Sequence, residues 1–359
     1  MQNVGTPRIY VDHINYQKAL GIYEPKNSSI DSLWVEGVGG LKSPTKLLEA
    51  TSPSSPDSTY LDANYTIINE NINWAGWFGH NLASSGVSFY PEGRDDNGWL
   101  AIHNEIELIN WSGTNTPPLY DGFSMCIGSG GNYFDFDRPL DWMKFTFNDI
   151  NGLVILDTFK VGSLCFGNYF DFPHSPELKI TQSIEMGELT RQKSVIGSSL
   201  SNSMQTPNMW GDLGAWELNS PSEQDDNSKL GIRRGKKIWN LSFSYLSDKD
   251  TLPINAMGGS LSNPDSMDGY TLGDDYYDGG ESGTIFGTQG NPLSVLNGED
   301  FFSAVWNKTL GGHLPFIFQP DKDNNNPDQF AICKFDQDSL QVEQVANTVY
   351  NVKLKIREI

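Results

Sequence analysis

The chain of 359 residues is long enough for two domains of ordinary size, and it is rich in turn-forming residues, with 36 glycines and 19 prolines. Its 45 acidic residues against 24 basic ones give a formal net charge of -21, which argues against specific nucleic-acid binding because neutralising phosphates requires clustered lysine and arginine. Three cysteines, Cys126, Cys165 and Cys333, are too few for a disulfide framework, and we expect buried thiols instead.

The turn-rich composition and the scarcity of long helical patterns predict an all-β fold. Aromatic residues make up 12% of the chain, which is too many for a disordered polypeptide. The sequence has neither a signal-peptide pattern at Met1 to Gly5 nor an apolar run of membrane length. We therefore expect no membrane insertion and maturation in a reducing cytoplasm.

The first predicted elements are a short strand from Pro7 to Val11 and a helical turn from Asn15 to Leu20. We expect this strand to pair with the C-terminal core, which would fix the N-terminal segment in place. Residues 51–58 are rich in serine and proline, as in a linker, and we place a domain boundary after residue 58.

Residues 59–167 predict a second β domain. The segment holds eight short candidate strands separated by Gly, Pro, Asn and Asp, which is typical of a sandwich or jelly roll. The candidate strands are Tyr65 to Ile68, Gly86 to Tyr90, Trp99 to Ile102, Glu105 to Ile109, Phe123 to Ile127, Trp142 to Phe147, Leu153 to Leu156 and Phe159 to Val161.

Residues 168–359 predict a strand pair, a long loop and one helix. Ile180 to Ile184 and Lys193 to Ile196 form the predicted strand pair. The acidic loop 258–298 is unusually long for a compact domain, and we expect it to order against a neighbouring subunit. The helix is predicted to be capped by Asn297 and to end at Gly311. Its apolar face consists of Phe301, Phe302, Val305, Trp306 and Leu310.

The last segment, Tyr350 to Arg357, alternates apolar and polar residues, as a strand with one buried and one solvated face does. An apolar strand of this kind needs a partner, because an unpaired edge invites aggregation. Ile238 to Leu246 alternates in the same way and is the predicted partner. We expect the helix to pack on the sheet that these strands form.

Several motifs in roughly the C-terminal half resemble structural proteins of tailed bacteriophages. The motifs are Gly162 to Pro176, Met209 to Gly211, Arg234 to Leu246, Phe318 to Asp321 and Tyr350 to Glu358. More narrowly, they look like tail-tip, baseplate or distal-tail proteins whose last strand ends in a leucine, arginine, glutamate pattern. The resemblance implies a tail-hub-like β-barrel or sandwich with one packed helix, built from residues 1–58 and 168–359.

For function, the resemblance implies a non-enzymatic structural protein of the phage tail, with no catalytic residues and no cofactor. Such a protein would form a trimeric or hexameric ring that joins the tail tube to baseplate or fibre proteins. Its place would be the virion, assembled in the host bacterial cytoplasm. An acidic wall would suit a ring through which DNA passes, although acidity alone also keeps a protein soluble.

The order of features in residues 59–167 resembles a galactose-binding-like sandwich, which implies an inserted jelly-roll domain. The resemblance lies in Gly79 to Leu82, Asp141 to Phe147 and Phe159 to Gly167. It raises an alternative function, a virion carbohydrate-binding module that contacts host surface glycans. Flat rings stack on sugars, but aromatics at such spacing are also typical of a core. The candidate platform consists of Trp74, Trp77, His80, Trp99 and Trp111.

A second candidate site is a contact between subunits. The only dense basic cluster, Arg233, Arg234, Lys236 and Lys237, is either a solvated turn before a strand or a contact to an acidic patch on a neighbouring copy. The matching acidic patch would be Asp274, Asp275, Asp278 and Glu281 in the loop. No catalytic motif and no phosphate-binding fingerprint is present in the sequence, and the five histidines are scattered.

Overall fold

A computed structural model describes residues 4–21, 50–51, 60–66, 72–95, 98–101, 106–113, 116–128, 142–149, 160–161, 163–185, 190–202, 209–210, 213–214, 236–251, 300–326 and 329–359. These residues are mostly β-strand with very little helix, which confirms the predicted all-β class. No helix in this part of the chain is long and apolar enough to span a bilayer.

The strands are β1 (Arg8–Asp12), β2 (Ala50–Thr51), β3 (Tyr60–Thr66), β4 (Trp74–His80), β5 (Val87–Asp95), β6 (Gly98–Ala101), β7 (Ile106–Ile109), β8 (Gly122–Gly128), β9 (Trp142–Asp149), β10 (Lys160–Val161), β11 (Ser163–Asp171), β12 (Thr181–Glu185), β13 (Thr190–Lys193), β14 (Ser199–Asn202), β15 (Met209–Trp210), β16 (Leu213–Gly214), β17 (Lys236–Ser247), β18 (Phe316–Gln319), β19 (Ala331–Phe335), β20 (Gln341–Ala346) and β21 (Val349–Glu358). The helices are α1 (His13–Ala19), the single turn α2 (Asp248–Thr251) and a π-helix (Phe302–Asn307).

One antiparallel sheet of eleven strands dominates the fold. Its order is β12-β17-β21-β19-β18-β1-β11-β4-β8-β7, and β20 pairs with β21 in addition. A second sheet has the order β3-β9-β5-β6. Three two-stranded pairs, β10-β2, β13-β14 and β15-β16, complete the described strands.

The N-terminal strand lies in the middle of the main sheet. β1 pairs with β11 on one side and β18 on the other, so Ile9 stands opposite both Phe170 and Phe318. The predicted pairing of the first strand with the C-terminal core is confirmed. Both faces of β1 are buried, because Ile9 and Val11 join one apolar cluster while Tyr10 joins a second cluster on the other face.

The C-terminal strand pairs as predicted. β21 lies against β17 with Trp239 opposite Ile356 and Leu241 opposite Leu354. Along β21, the buried residues Val352, Leu354 and Ile356 alternate with exposed lysines, which confirms the predicted buried and solvated faces.

The predicted helix is present, but it is shorter and has π-helical hydrogen bonding from Phe302 to Asn307. Its cap is Asp300, whose carboxylate accepts a hydrogen bond from the Ser303 backbone nitrogen at 2.9 Å; the predicted cap Asn297 lies outside the described residues. The π-helix ends at Asn307 with Lys308 as its C-cap, so the predicted end at Gly311 is four residues too late; Gly311, with φ +66°, lies in the turn that follows. The Phe301 ring packs against Phe170, Phe172 and Phe335 of the sheet.

The main sheet runs without a break across the boundary predicted at residue 167. That residue lies inside β11, and β4, β7 and β8 from the predicted inserted domain belong to the same sheet as β1 and β21. Strands β3, β5, β6 and β9 from the same segment form the separate four-stranded sheet. Six of the eight candidate strands overlap with observed strands. Of the other two, Tyr65 to Ile68 overlaps only the end of β3, and Leu153 to Leu156 lies outside the described residues.

The predicted pairing of Ile180 to Ile184 with Lys193 to Ile196 is wrong. β12 instead pairs with β17, with Ser183 opposite Ile238. Residues 193–196 enter the turn of the hairpin β13-β14. The observed partner of β12 therefore lies farther along the chain than the predicted one, and closeness in sequence did not identify it.

Candidate assembly surface

The aromatic residues predicted as a sugar platform lie inside the protein. Trp74 and Trp77 are fully buried, and Trp111 and His80 are each 3% exposed. β4 carries three of these side chains and lies between β11 and β8, and all seven of its residues are buried. These four side chains are core residues that present no ring face to a sugar. The side chain of Trp99 lies outside the described residues.

The contacts of these rings join strands. The indole nitrogen of Trp74 donates hydrogen bonds to the carbonyl oxygens of Val11 and Asn168, at 3.2 and 3.1 Å. Trp77 packs edge-on against Trp111, with centroids 5.4 Å apart, a geometry that stabilises a core. The run Trp74–His80 lacks polar alternation, which is the sequence signal of a strand buried on both faces.

A buried serine and histidine lie within hydrogen-bond distance, but their roles are structural. His80 Nε2 is 3.0 Å from Ser124 Oγ, and the Leu82 backbone nitrogen donates to His80 Nδ1 at 3.4 Å. Nδ1 is therefore the acceptor nitrogen and Nε2 carries the hydrogen, so the imidazole donates to the hydroxyl and cannot take its proton. Burial lowers the pKa of His80 to about 3, which keeps the ring neutral.

Among the described residues, no group of three or more His, Cys, Asp or Glu side chains is arranged to hold a metal ion.

An ion-pair cluster joins three segments that are distant in sequence. Arg8 Nε and Nη2 donate to the two carboxylate oxygens of Asp171 at 2.5 and 2.9 Å. Lys322 Nζ donates to the same carboxylate at 3.2 Å, and the Arg8 guanidinium lies 4.0 Å from the centre of the Tyr169 ring. A bidentate arginine stacked on an aromatic ring is held in one geometry. The cluster therefore fixes β1 against β11 and against the turn after β18.

Asp12 ends β1 and caps α1. Its carboxylate accepts hydrogen bonds from the backbone nitrogens of Ile14 and Asn15, at 3.0 and 3.3 Å. The residue is 4% exposed, and this burial raises the pKa of the carboxyl to about 7 although the two hydrogen bonds favour its charged form. Burial therefore favours the neutral form of this carboxyl more than solvent does.

The predicted basic cluster is described only in part. Lys236 and Lys237 begin β17 and are half-buried, and the Lys237 backbone nitrogen donates to Glu358 at 2.9 Å. Arg233, Arg234 and the acidic residues Asp274, Asp275, Asp278 and Glu281 lie outside the described residues. The contact between basic cluster and acidic loop therefore stays a prediction.

Among the described residues, the three most exposed large apolar side chains fall in one stretch of sequence, residues 177–202, whereas Tyr245 and Leu119, 82% and 74% exposed, lie elsewhere. Leu178 and Val195 are as accessible as in an extended chain, Ile196 is 94% exposed, and Ile184 is 63% exposed. Sequence reasoning placed Ile196 in a paired strand and missed this exposure. The one signal in the sequence was Gly197, which favours a turn but does not say which side chains the turn exposes.

The hairpin β13-β14, residues 190–202, is here named the arm. Its turn is closed by hydrogen bonds from Ser194 nitrogen to Ser198 oxygen at 2.8 Å and from Gly197 nitrogen to Ser194 oxygen at 2.9 Å. Ser194 Oγ accepts a third from the Ser198 nitrogen at 3.0 Å, and Gly197 adopts φ +88°, which favours glycine. This turn holds Val195 and Ile196 at the tip of the arm.

A second exposed surface is formed by β20 and the residues directly before it. Among the described strands β20 pairs only with β21, so its outer edge is open. Asp338 and Glu343 are exposed there, and Val345 is 47% exposed at a bulge between Gln344 and Ala346. We name this surface, residues 338–346, the acidic edge.

Comparison of the chain with protein-family models, with curated proteins and with solved structures found no match.

Proposed function

We propose that the protein is a non-enzymatic structural component of a bacteriophage tail that assembles as a trimeric or hexameric ring and joins the tail tube to baseplate or fibre proteins. The observation that carries the proposal is the concentration of exposed apolar side chains in residues 177–202. Apolar residues exposed together on a soluble protein mark surfaces that another molecule covers. Assembly with further copies or with neighbouring virion proteins would supply that cover.

Two further features agree with this function. Four of the five motifs that resemble phage tail proteins overlap with β11, β17, β18 or β21, which all belong to the main sheet, and the fifth, Met209 to Gly211, overlaps with β15 of a separate pair. The sheet joins both ends of the chain, since β1 lies between β11 and β18. Four of the five residues that were candidates for the alternative function, glycan binding, are buried in the core.

The test is the mass of the purified protein in solution, measured by light scattering over a wide concentration range, together with negative-stain images. Closed rings of one stoichiometry are the expected result. Immunogold labelling of virions from the source phage should then place the protein on the tail. A protein that stays monomeric at every concentration, or a label confined to the capsid, would refute the proposal.

A further inference from the structure

The arm combines two properties that point to a protein partner. Its tip exposes Val195 and Ile196 almost completely, and no residue that the structure describes covers them. Its turn is held by three hydrogen bonds and a left-handed glycine, so the tip is presented in one shape. An apolar group on a preorganised turn loses little conformational freedom when it docks, which favours binding.

The charge of the arm restricts the partner. Residues 190–202 contain Arg191 and Lys193 and none of the chain's 45 acidic residues. The chain as a whole has a net charge of -21, so the arm is a basic, apolar protrusion on an acidic protein. A surface of opposite charge attracts it and rejects like-charged partners. Another copy of this chain offers such a surface.

The acidic edge has the complementary features. Asp338 and Glu343 supply negative charge, Val345 supplies an apolar contact, and no described strand pairs with the outer side of β20. An open strand edge is also a ready place for a hairpin of another chain to pair.

β12, the last described strand before the arm, and the acidic edge lie towards opposite ends of β17. β12 ends at Glu185, which stands opposite Lys236 at the start of β17, and the arm begins five residues later at Thr190. The acidic edge meets β21 where Val349 stands opposite Ser247 at the end of β17. Twelve strand residues separate these ends by about 36 Å. A contact between them joins two copies head to tail, and head-to-tail contacts close into rings when the rotation permits.

We propose that the arm of one copy docks on the acidic edge of the next, and that this contact closes the ring. The inference rests on the proposed function in so far as that function requires a ring. It names the surface and the partner: a second copy of this chain, recognised by apolar contact at Val345 and by charge at Asp338 and Glu343.

Cysteine cross-linking tests the contact directly, because the native cysteines Cys126, Cys165 and Cys333 are all buried. Ile196→Cys and Val345→Cys are prepared as separate proteins, one of them tagged, then mixed and treated with a short bismaleimide. Cross-linked pairs containing one copy of each variant are expected in the mixture and not in either protein alone. Leu119→Cys, at an exposed position outside both surfaces, replaces Val345→Cys in the control and should give no pair.

Substitutions test whether the contact supports assembly. Val195→Ser with Ile196→Ser should raise the concentration at half-assembly by about tenfold or more, whereas Leu119→Ser should leave it unchanged. Lys193→Glu should weaken assembly, and adding Glu343→Lys should restore it. Unfolding midpoints equal to wild type establish that the variants remain folded.

The outcomes separate the two proposals. Rings that persist in the double serine variant, or cross-links of Ile196→Cys with itself, would overturn the arm contact while leaving a ring-forming tail protein in place. A wild-type protein that never assembles would remove the ring on which both proposals depend.

Discussion

Replacing Gly167 by alanine tests the central packing of the sheet. A Cβ atom built on Gly167 would lie 2.1 Å from the carbonyl oxygen of Val11 and 2.9 Å from Cδ2 of His13. The nearer atom belongs to the backbone of β1, so no side-chain rotation relieves the contact. An ordinary contact begins at 3.4 Å, which is 1.3 Å more, so β1 and β11 would have to separate over the pairs that run from Arg8 to Asp12.

Overpacking of this kind costs about 1 to 3 kcal/mol, and weakening one or two strand hydrogen bonds adds about 1 kcal/mol each. We therefore expect the free energy of unfolding to fall by about 2 to 5 kcal/mol, measured by urea titration with tryptophan fluorescence. The matched control is Gly86→Ala, where no atom lies within 4 Å and only the backbone angle, φ +64°, opposes a side chain. That control should lose about 1 to 2 kcal/mol. Equal losses in the two variants would refute the close approach of β1 to β11.

Three more predictions concern charge and thiols. The pKa of Asp12 is raised to about 7 in the folded protein, so the folded protein binds this proton more tightly than the unfolded chain does. This group therefore stabilises the fold at low pH. Its contribution is lost as the pH rises from about 4 to about 7. Asp12→Asn keeps a capping oxygen but removes the titrating group. In that window it should change the slope of the free energy of unfolding against pH by up to about 1.4 kcal/mol per pH unit, and an unchanged slope would contradict the raised pKa. Arg8→Met should lower the free energy of unfolding by about 2 kcal/mol in a urea titration, because it removes a bidentate partner of Asp171 that is only 11% exposed. Lys322→Met should lower it by less than about 1 kcal/mol, because the Lys322 side chain is 32% exposed. The three native thiols should react with an aromatic disulfide reagent only on unfolding, since all are buried and burial raises the pKa of Cys333 well above its usual range; fast labelling in native buffer would show that the core opens.

Sequence patterns predicted the strands that have one face in water. β21 shows alternation because exposed lysines face solvent between Val352, Leu354 and Ile356, and its partner β17 alternates for the same reason. The position of β1 was also predictable, since an apolar run near the N-terminus had to be buried against something. The periodicity of apolar residues does not identify which strand pairs with which when two candidates exist. The wrong pairing predicted for β12 is an example.

The candidate sites were less predictable, because burial is a property of the whole fold. Trp77 and Trp111 are far apart in sequence and become neighbours only when β4 and the segment after β7 lie side by side. Exposure of the arm could not be read from its composition, since Val195 and Ile196 have the residue types of a core strand. In both cases the residue type is the same and tertiary contacts decide whether it faces protein or water.

The placement of β1 between β11 and β18 governs the order in which the chain can fold. Arg8 stands opposite Gln319 in the finished sheet, a separation of about 300 residues, which the ribosome needs roughly 15 to 60 s to synthesise. Until then β1 has at most one of its two partners, and its apolar residues have one open side. The emerging chain must therefore keep this strand from pairing with other molecules, and the rate of its folding should depend on the arrival of β18 more than on the strength of any local turn.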